Sequence, residues 1–251
     1  MSGVESVAVV MLLPACNMHC TFCVTEEVFE SIPERQAWHL VEQLHQRGVK
    51  TIVLGGGEPF AWEGDLLGLC RHARSLGMTV QIGTNGIDVP DGFEHLDEVD
   101  RWVIPLEAAE ATMHDAMRLY RGQHHSIIMD RLDALKSAGK SVTISTVVTT
   151  ANMADIDNLA AWVEAYDRGT EHVHAWHLYQ FLPLGRGGAV NAARLTVPAE
   201  DYKAVCQRVK ARPGMRPIVF KRANMYRSQV VRFWWYAGGK VECGSVGNGD
   251  S

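Results

Sequence analysis

The sequence predicts an α/β fold: a partial, open (βα)6 TIM-like barrel with a short C-terminal β-containing cap. Three observations predict it. Apolar, β-branched runs alternate with stretches of helical periodicity about six times along the 251 residues, the pattern of parallel strands joined by crossover helices. Six such units fall short of the eight that close a barrel. The residues that carry chemistry recur directly after strands, where parallel α/β folds build their sites.

The elements follow in order. Val7–Leu13 (VAVVMLL) reads as a buried first strand, and Pro33 to Arg47 places apolar residues at helical spacing before Gly48 stops it. TIVLGGGEP is a strand and a glycine turn, DLLGLCRHARSLG a helix with a glycine end, and MTVQIGTNG a strand and a turn. RWVIPL is a short strand, and about Ala111 to Ala138 is helical in two pieces. VTISTVVTT is the clearest strand, and Asn152 is placed to cap a helix running to about Tyr166. HVHAWHLYQFLPL is the sixth strand, followed by a loop GRGGAVN; Pro198 introduces a further helix, and IVF and SQVVRFWWY read as terminal strands. Residues 1–190 are expected to form the barrel core, and residues 191–251 an extension of the same domain that covers the barrel mouth.

A net charge of −5 offers no basic excess for nucleic acid or an anionic membrane. The N-terminal apolar run is too short to span a bilayer and lacks a basic flank, so the expected location is the cytoplasm. Cysteines there more often bind metal or catalyse than pair as disulfides. Three of the six, Cys16, Cys20 and Cys23, fall within eight residues. With His19 as a fourth ligand they read as a zinc site in an interaction module. As ligands of an iron–sulfur cluster they read as an electron carrier, or as a [4Fe–4S] centre with one iron open to bind a small molecule and pass it one electron.

The motif C-x-x-x-C-x-Φ-C, with Phe22 before its last cysteine, resembles the signature of the radical S-adenosylmethionine superfamily. Gly55-Gly56-Gly57-Glu58-Pro59 after the second strand resembles that family's GGEP-type turn. The resemblance implies a [4Fe–4S] cluster on Cys16, Cys20 and Cys23 whose open iron chelates S-adenosylmethionine. Reductive cleavage then gives methionine and a 5′-deoxyadenosyl radical that takes hydrogen from a small-molecule substrate. It also implies an external electron donor, flavodoxin- or ferredoxin-like, or dithionite in vitro. Phe22, Gly56, Gly57 and Glu58 become candidate cosubstrate contacts, followed along the chain by Thr84 and Asn85, Glu107, Arg118 (with His114 and Asp115 in MHDAMR) and Ser145.

Two later stretches resemble the viperin-like group of nucleotide-modifying radical enzymes: AWHLYQFLPLGRG at the sixth strand and NMYRSQVVRFWWYAGGKVEC near the end. That group holds a triphosphate with lysines on its later strands, where this chain has Thr143 and His177. A less charged nucleoside- or sugar-like substrate is therefore expected, with His177, Tyr179, Arg186, Tyr226 and Tyr236 as candidate contacts. The alternatives are viperin-like nucleotide dehydration, or epimerisation with Cys243 donating a hydrogen atom.

Overall fold

The computed structural model of the chain describes residues 7–25, 29–228 and 230–244. Its elements run, in chain order, β1 (Val7–Met11), β2 (His19–Cys20), α1 (Glu34–Gln46), β3 (Thr51–Gly55), α2 (Leu66–Ser75), β4 (Thr79–Gly83), β5 (Arg101–Pro105), α3 (Ala111–Met117), β6 (Arg118–Leu119), α4 (His124–Ser137), β7 (Ser141–Val148), α5 (Ile156–Asp167), β8 (Val173–Gln180), α6 (Gly185–Gly188), α7 (Ala192–Leu195), α8 (Ala199–Lys210), β9 (Ile218–Arg222), β10 (Val231–Ala237) and β11 (Lys240–Gly244).

The six expected strands, β1, β3, β4, β5, β7 and β8, pair in parallel in that order. This is the partial (βα)6 barrel. Alternate strand residues such as Ala8, Val10, Ile52, Leu54, Val80 and Ile82 are buried in the main core, and their neighbours face the other side. Helix α1 shows why the chain folds this way locally. Ala37, Leu40, Val41 and Leu44 recur at helical spacing and are all buried, each contributing on the order of 1–3 kcal/mol by leaving water. Between β4 and β5 the connection carries only a 3-10 turn, Phe93–His95. Phe93 packs edge-on against Trp102 at 5.1 Å, an aromatic plug for that part of the outer layer.

The C-terminal segment joins the sheet on both flanks. Strand β9 extends it beyond β8, and β10 runs parallel to β1, with Val7 opposite Val231 and Val10 opposite Trp234. Strand β11 then folds back antiparallel on β10 and becomes the outer edge. Residues ahead of and within β10 reach the mouth through Met225 and Phe233.

Two local expectations are corrected. Asn152 does not cap the helix after β7: α5 starts at Ile156, after a 3-10 turn over Met153–Asp155. The Asn152 side chain instead donates to the carbonyls of Glu107 and Val147 and accepts from the Thr149 amide, tying the ends of β5 and β7 together. The expected loop GRGGAVN contains a helical turn, α6, because its glycines seat on another segment described below.

Candidate functional site

Cys16, Cys20 and Cys23 lie on the segment after β1 as half-buried free thiols. All three line one cavity of about 290 Å³ at the C-terminal ends of the strands. The segment is held on three sides. On one side is the glycine turn after β3: Gly57 and Glu58 donate backbone N–H bonds to Leu13 O and Ala15 O at 2.7 and 2.9 Å. A Cβ on Gly57 would sit 1.8 Å from Ala15 O, and one on Gly56, at φ +128°, 2.5 Å from Leu13 O. Glycine is required there by contact with the cysteine segment itself. On the second side, Gly187 and Gly188 of α6 donate to Cys23 O, and Arg186 N–H donates to Thr25 O. A Cβ on Gly187 would meet Cys20 O at 2.3 Å. On the third side, β2 pairs with β6 and sets Cys20 opposite Arg118.

The candidate cosubstrate residues divide. Gly56, Gly57, Thr84, Asn85, Arg118, Ser145 and Phe22 line the cavity. Glu58 and Glu107 do not; both are fully buried and their carboxylates are engaged. Glu58 accepts from the Thr84 hydroxyl at 2.7 Å and the Asn85 amide at 2.8 Å, which fixes the turn after β4. Burial raises its carboxyl above the usual range, against these donors. Glu107 accepts from Arg118 and, on its other oxygen, from Val147 N–H at 2.7 Å. Burial raises Glu107, while the Arg118 charge and the Val147 amide pull it down. Against the cost of burial, Cys20 and Glu107 hold Arg118 above its ordinary value.

Donors face two of the three sulfurs. Asn85 Nδ2 lies 3.6 Å from Cys16 Sγ, and Arg118 Nη1 lies 3.6 Å from Cys20 Sγ. The Arg118 guanidinium also covers the Phe22 ring at 5.2 Å. Burial raises the Cys16 thiol and pushes Cys20 up to about 12. Deprotonating these thiols therefore calls for a cationic partner, which bound metal supplies. Among the described residues no three Cys, His, Asp or Glu side chains gather as a single metal ion requires, and His19, the fourth ligand of the zinc reading, is exposed. Three thiols around one cavity, with donors aimed at two of them, fit a multi-iron cluster.

The remaining candidates are scattered. Tyr179 and Arg186 line the cavity, and Arg186 Nη1 donates to Pro14 O at 2.9 Å. His177 is not at the lining; its Nδ1 lies 3.1 Å from the Tyr179 hydroxyl, and burial lowers its pKa to about 3. Thr143 is buried within β7. Tyr226 packs edge-on against Phe233, and Tyr236, half-buried, packs against the main core. Cys243 is exposed on the edge strand β11, opposite Trp234, whose ring is buried in that core. Facing residues of an antiparallel pair share a side of the sheet, so Cys243 points away from the cavity. Sequence reasoning did not single out Met225, Phe233, Val147 and Gln180 of the lining; all but Val147 lie within the two later stretches that carry the resemblance. It also missed His124, whose partners lie on other elements.

A family model described as the Radical SAM superfamily matches residues 10–163. The chain is similar to an S-adenosylmethionine-dependent nucleotide dehydratase of Lacinutrix mariniflava, 28% identical over 67% of this chain and 37% of the relative. It is also similar to a GTP 3',8-cyclase of Corynebacterium glutamicum, 28% identical over 76% of this chain and 55% of the relative. It thus spans well under two thirds of the length of either. Among solved structures, Streptococcus suis SuiB bound to S-adenosylmethionine superposes with a TM-score of 0.71 at 14% identity, over 87% of this chain and 50% of that one.

Proposed function

Within the radical S-adenosylmethionine superfamily, to which the chain belongs, we propose that it takes hydrogen from a small, weakly charged molecule of nucleoside- or sugar-like kind. As a member it is an enzyme with a [4Fe–4S] cluster and S-adenosylmethionine as cofactors. Those cofactors supply a 5′-deoxyadenosyl radical when an external donor, flavodoxin- or ferredoxin-like, provides one electron. Cys16, Cys20 and Cys23 hold the cluster. Thr84, Asn85, Arg118 and Ser145 border the space for the cosubstrate. Tyr179, Gln180, Met225 and Phe233 form a further part of the wall, against which substrate binds and from which water is excluded.

One observation carries the choice of substrate. The cavity lining includes two charged side chains, Arg118 and Arg186. Arg118 is paired with Glu107, and Arg186 bonds a backbone carbonyl. A triphosphate demands several clustered cations, and among the described residues the lining offers these two, one of them committed to a carboxylate. Titrating the cluster-loaded protein with cytidine, CMP and CTP tests the reading. It expects no gain in affinity with added phosphates, and tight binding of CTP alone would overturn it. That overturning result is what the second reading, viperin-like nucleotide dehydration, predicts; the similarity to the dehydratase favours that reading.

Among the described residues no helix is long and apolar enough to cross a membrane.

A further inference from the structure

Behind the cavity two buried histidines touch. His114 on α3 and His124 at the start of α4 are both fully buried. His114 Nε2 and His124 Nδ1 lie 2.7 Å apart, with the rings 5.0 Å between centroids and tilted by 16°. Their outer nitrogens also have partners. His124 Nε2 lies 2.8 Å from the carbonyl of Asn85, and His114 Nδ1 lies 3.1 Å from the backbone N of Glu107.

These partners leave one arrangement of protons. A carbonyl only accepts, so His124 carries its proton on Nε2 and its Nδ1 is bare. A backbone N–H only donates, so His114 Nδ1 is bare and its proton sits on Nε2. That proton fills the contact between the rings. The result is a directed chain: Glu107 N–H to His114, His114 to His124, His124 to Asn85 C=O. A further proton on either ring would set two donors face to face. Both rings are therefore neutral, and burial, the larger cause, together with the Arg118 charge lowers their pKa values to about 2 and about 3.

The chain's two ends are informative. Asn85 presents its amide to Cys16 Sγ, and the carboxylate of Glu107 positions the Arg118 guanidinium that faces Cys20 Sγ. The histidines thus brace, from behind, the two segments that offer donors to cluster sulfurs.

We infer that His114 and His124 are positioning residues that set how strongly Asn85 and Arg118 donate to Cys16 and Cys20, and hence the reduction potential of the cluster. The reduced cluster carries one more negative charge, so donors and cations at its sulfurs favour it. Loosening the brace weakens both and moves the potential in the negative direction.

The test is an EPR-monitored redox titration of cluster-loaded protein without cosubstrate or substrate. His114→Phe and His124→Phe keep ring size and remove the chain. Each is expected to lower the reduced-to-oxidised ratio about tenfold at the wild-type midpoint, ~59 mV for one electron. His114→Gln, whose amide can accept from Glu107 N–H and donate to His124, is expected to return most of that shift. Wild-type midpoints in the phenylalanine variants, or a glutamine variant displaced as far as they are, would overturn the inference. Should the phenylalanine variants not hold a cluster, 15N NMR of the oxidised wild type decides. Both rings should carry their proton on Nε2 and stay neutral down to pH 5. A proton on Nδ1 of either ring, or titration of either between pH 5 and 8, would overturn the proposal.

Discussion

The guanidinium of Arg118 grips one oxygen of the Glu107 carboxylate with two donors, Nε and Nη2, each at 2.8 Å. Glu107 is fully buried, and its second oxygen is committed to the Val147 amide. The pair joins the end of β5 to β6 and carries its positive end to the Cys20 sulfur. Removing one member of such a buried pair leaves the other uncompensated, at a typical cost of roughly 3–5 kcal/mol. Glu107→Gln should lower stability by that order in urea denaturation. Arg118→Lys should not preserve the wild-type value, because an ammonium cannot reproduce the fork.

The glycines around the cysteine segment give a graded prediction. Gly57→Ala and Gly187→Ala place a methyl group 1.8 and 2.3 Å from backbone oxygens of that segment, so the segment must shift. Both variants should reconstitute with well under half the wild-type iron and sulfide per chain. Gly55→Ala is the control: a Cβ there meets nothing within 4 Å, so iron content should match the wild type.

The buried histidines make stability fall in acid. His114 and His124 have folded-state values of about 2 and about 3, against about 6.5 in an unfolded chain. The unfolded state therefore binds more protons as pH drops below about 6.5, and stability falls with it until the folded values are reached. Each histidine contributes a slope of about 1.4 kcal/mol per pH unit in that window. Between pH 6 and 4, His124→Phe should show a shallower loss of stability than wild type by about one such slope, read from denaturation midpoints across pH. Parallel curves would contradict the assignment of a neutral, buried His124.

Cys243 stands apart from the other exposed chemistry. It lies on the outer strand, opposite a tryptophan of the core. Cys243→Ser should leave 5′-deoxyadenosine formation and substrate turnover within about twofold of wild type, surface changes being mild. A loss of product with deoxyadenosine formation intact would restore the hydrogen-donor reading.

These relationships show what the sequence could and could not reveal. Periodicity exposed the six parallel strands and the helices between them, because burial on one face leaves a local pattern. The cysteine spacing was legible because three ligands of one cluster sit on one short segment. Glu58 and Glu107 were found by position, but their protein partners were not: a strand-end carboxylate looks the same in sequence whatever side chains it meets, here Thr84 and Asn85 or Arg118 and Val147. Gly187 gave no sign that Cys20 lies against it, and the parallel pairing of β10 with β1 joins segments more than two hundred residues apart. His124 meets Asn85 and His114 across three elements, a contact that exists only once the barrel is assembled.

The most direct measurement of the central claim is an anaerobic assay of the reconstituted protein with S-adenosylmethionine and dithionite, following 5′-deoxyadenosine by chromatography. The triple variant Cys16→Ala, Cys20→Ala, Cys23→Ala is the control. The wild type should form 5′-deoxyadenosine and the variant none. A wild type fully loaded with cluster that yields none, even with candidate substrates present, would rule out radical cleavage of S-adenosylmethionine by this protein.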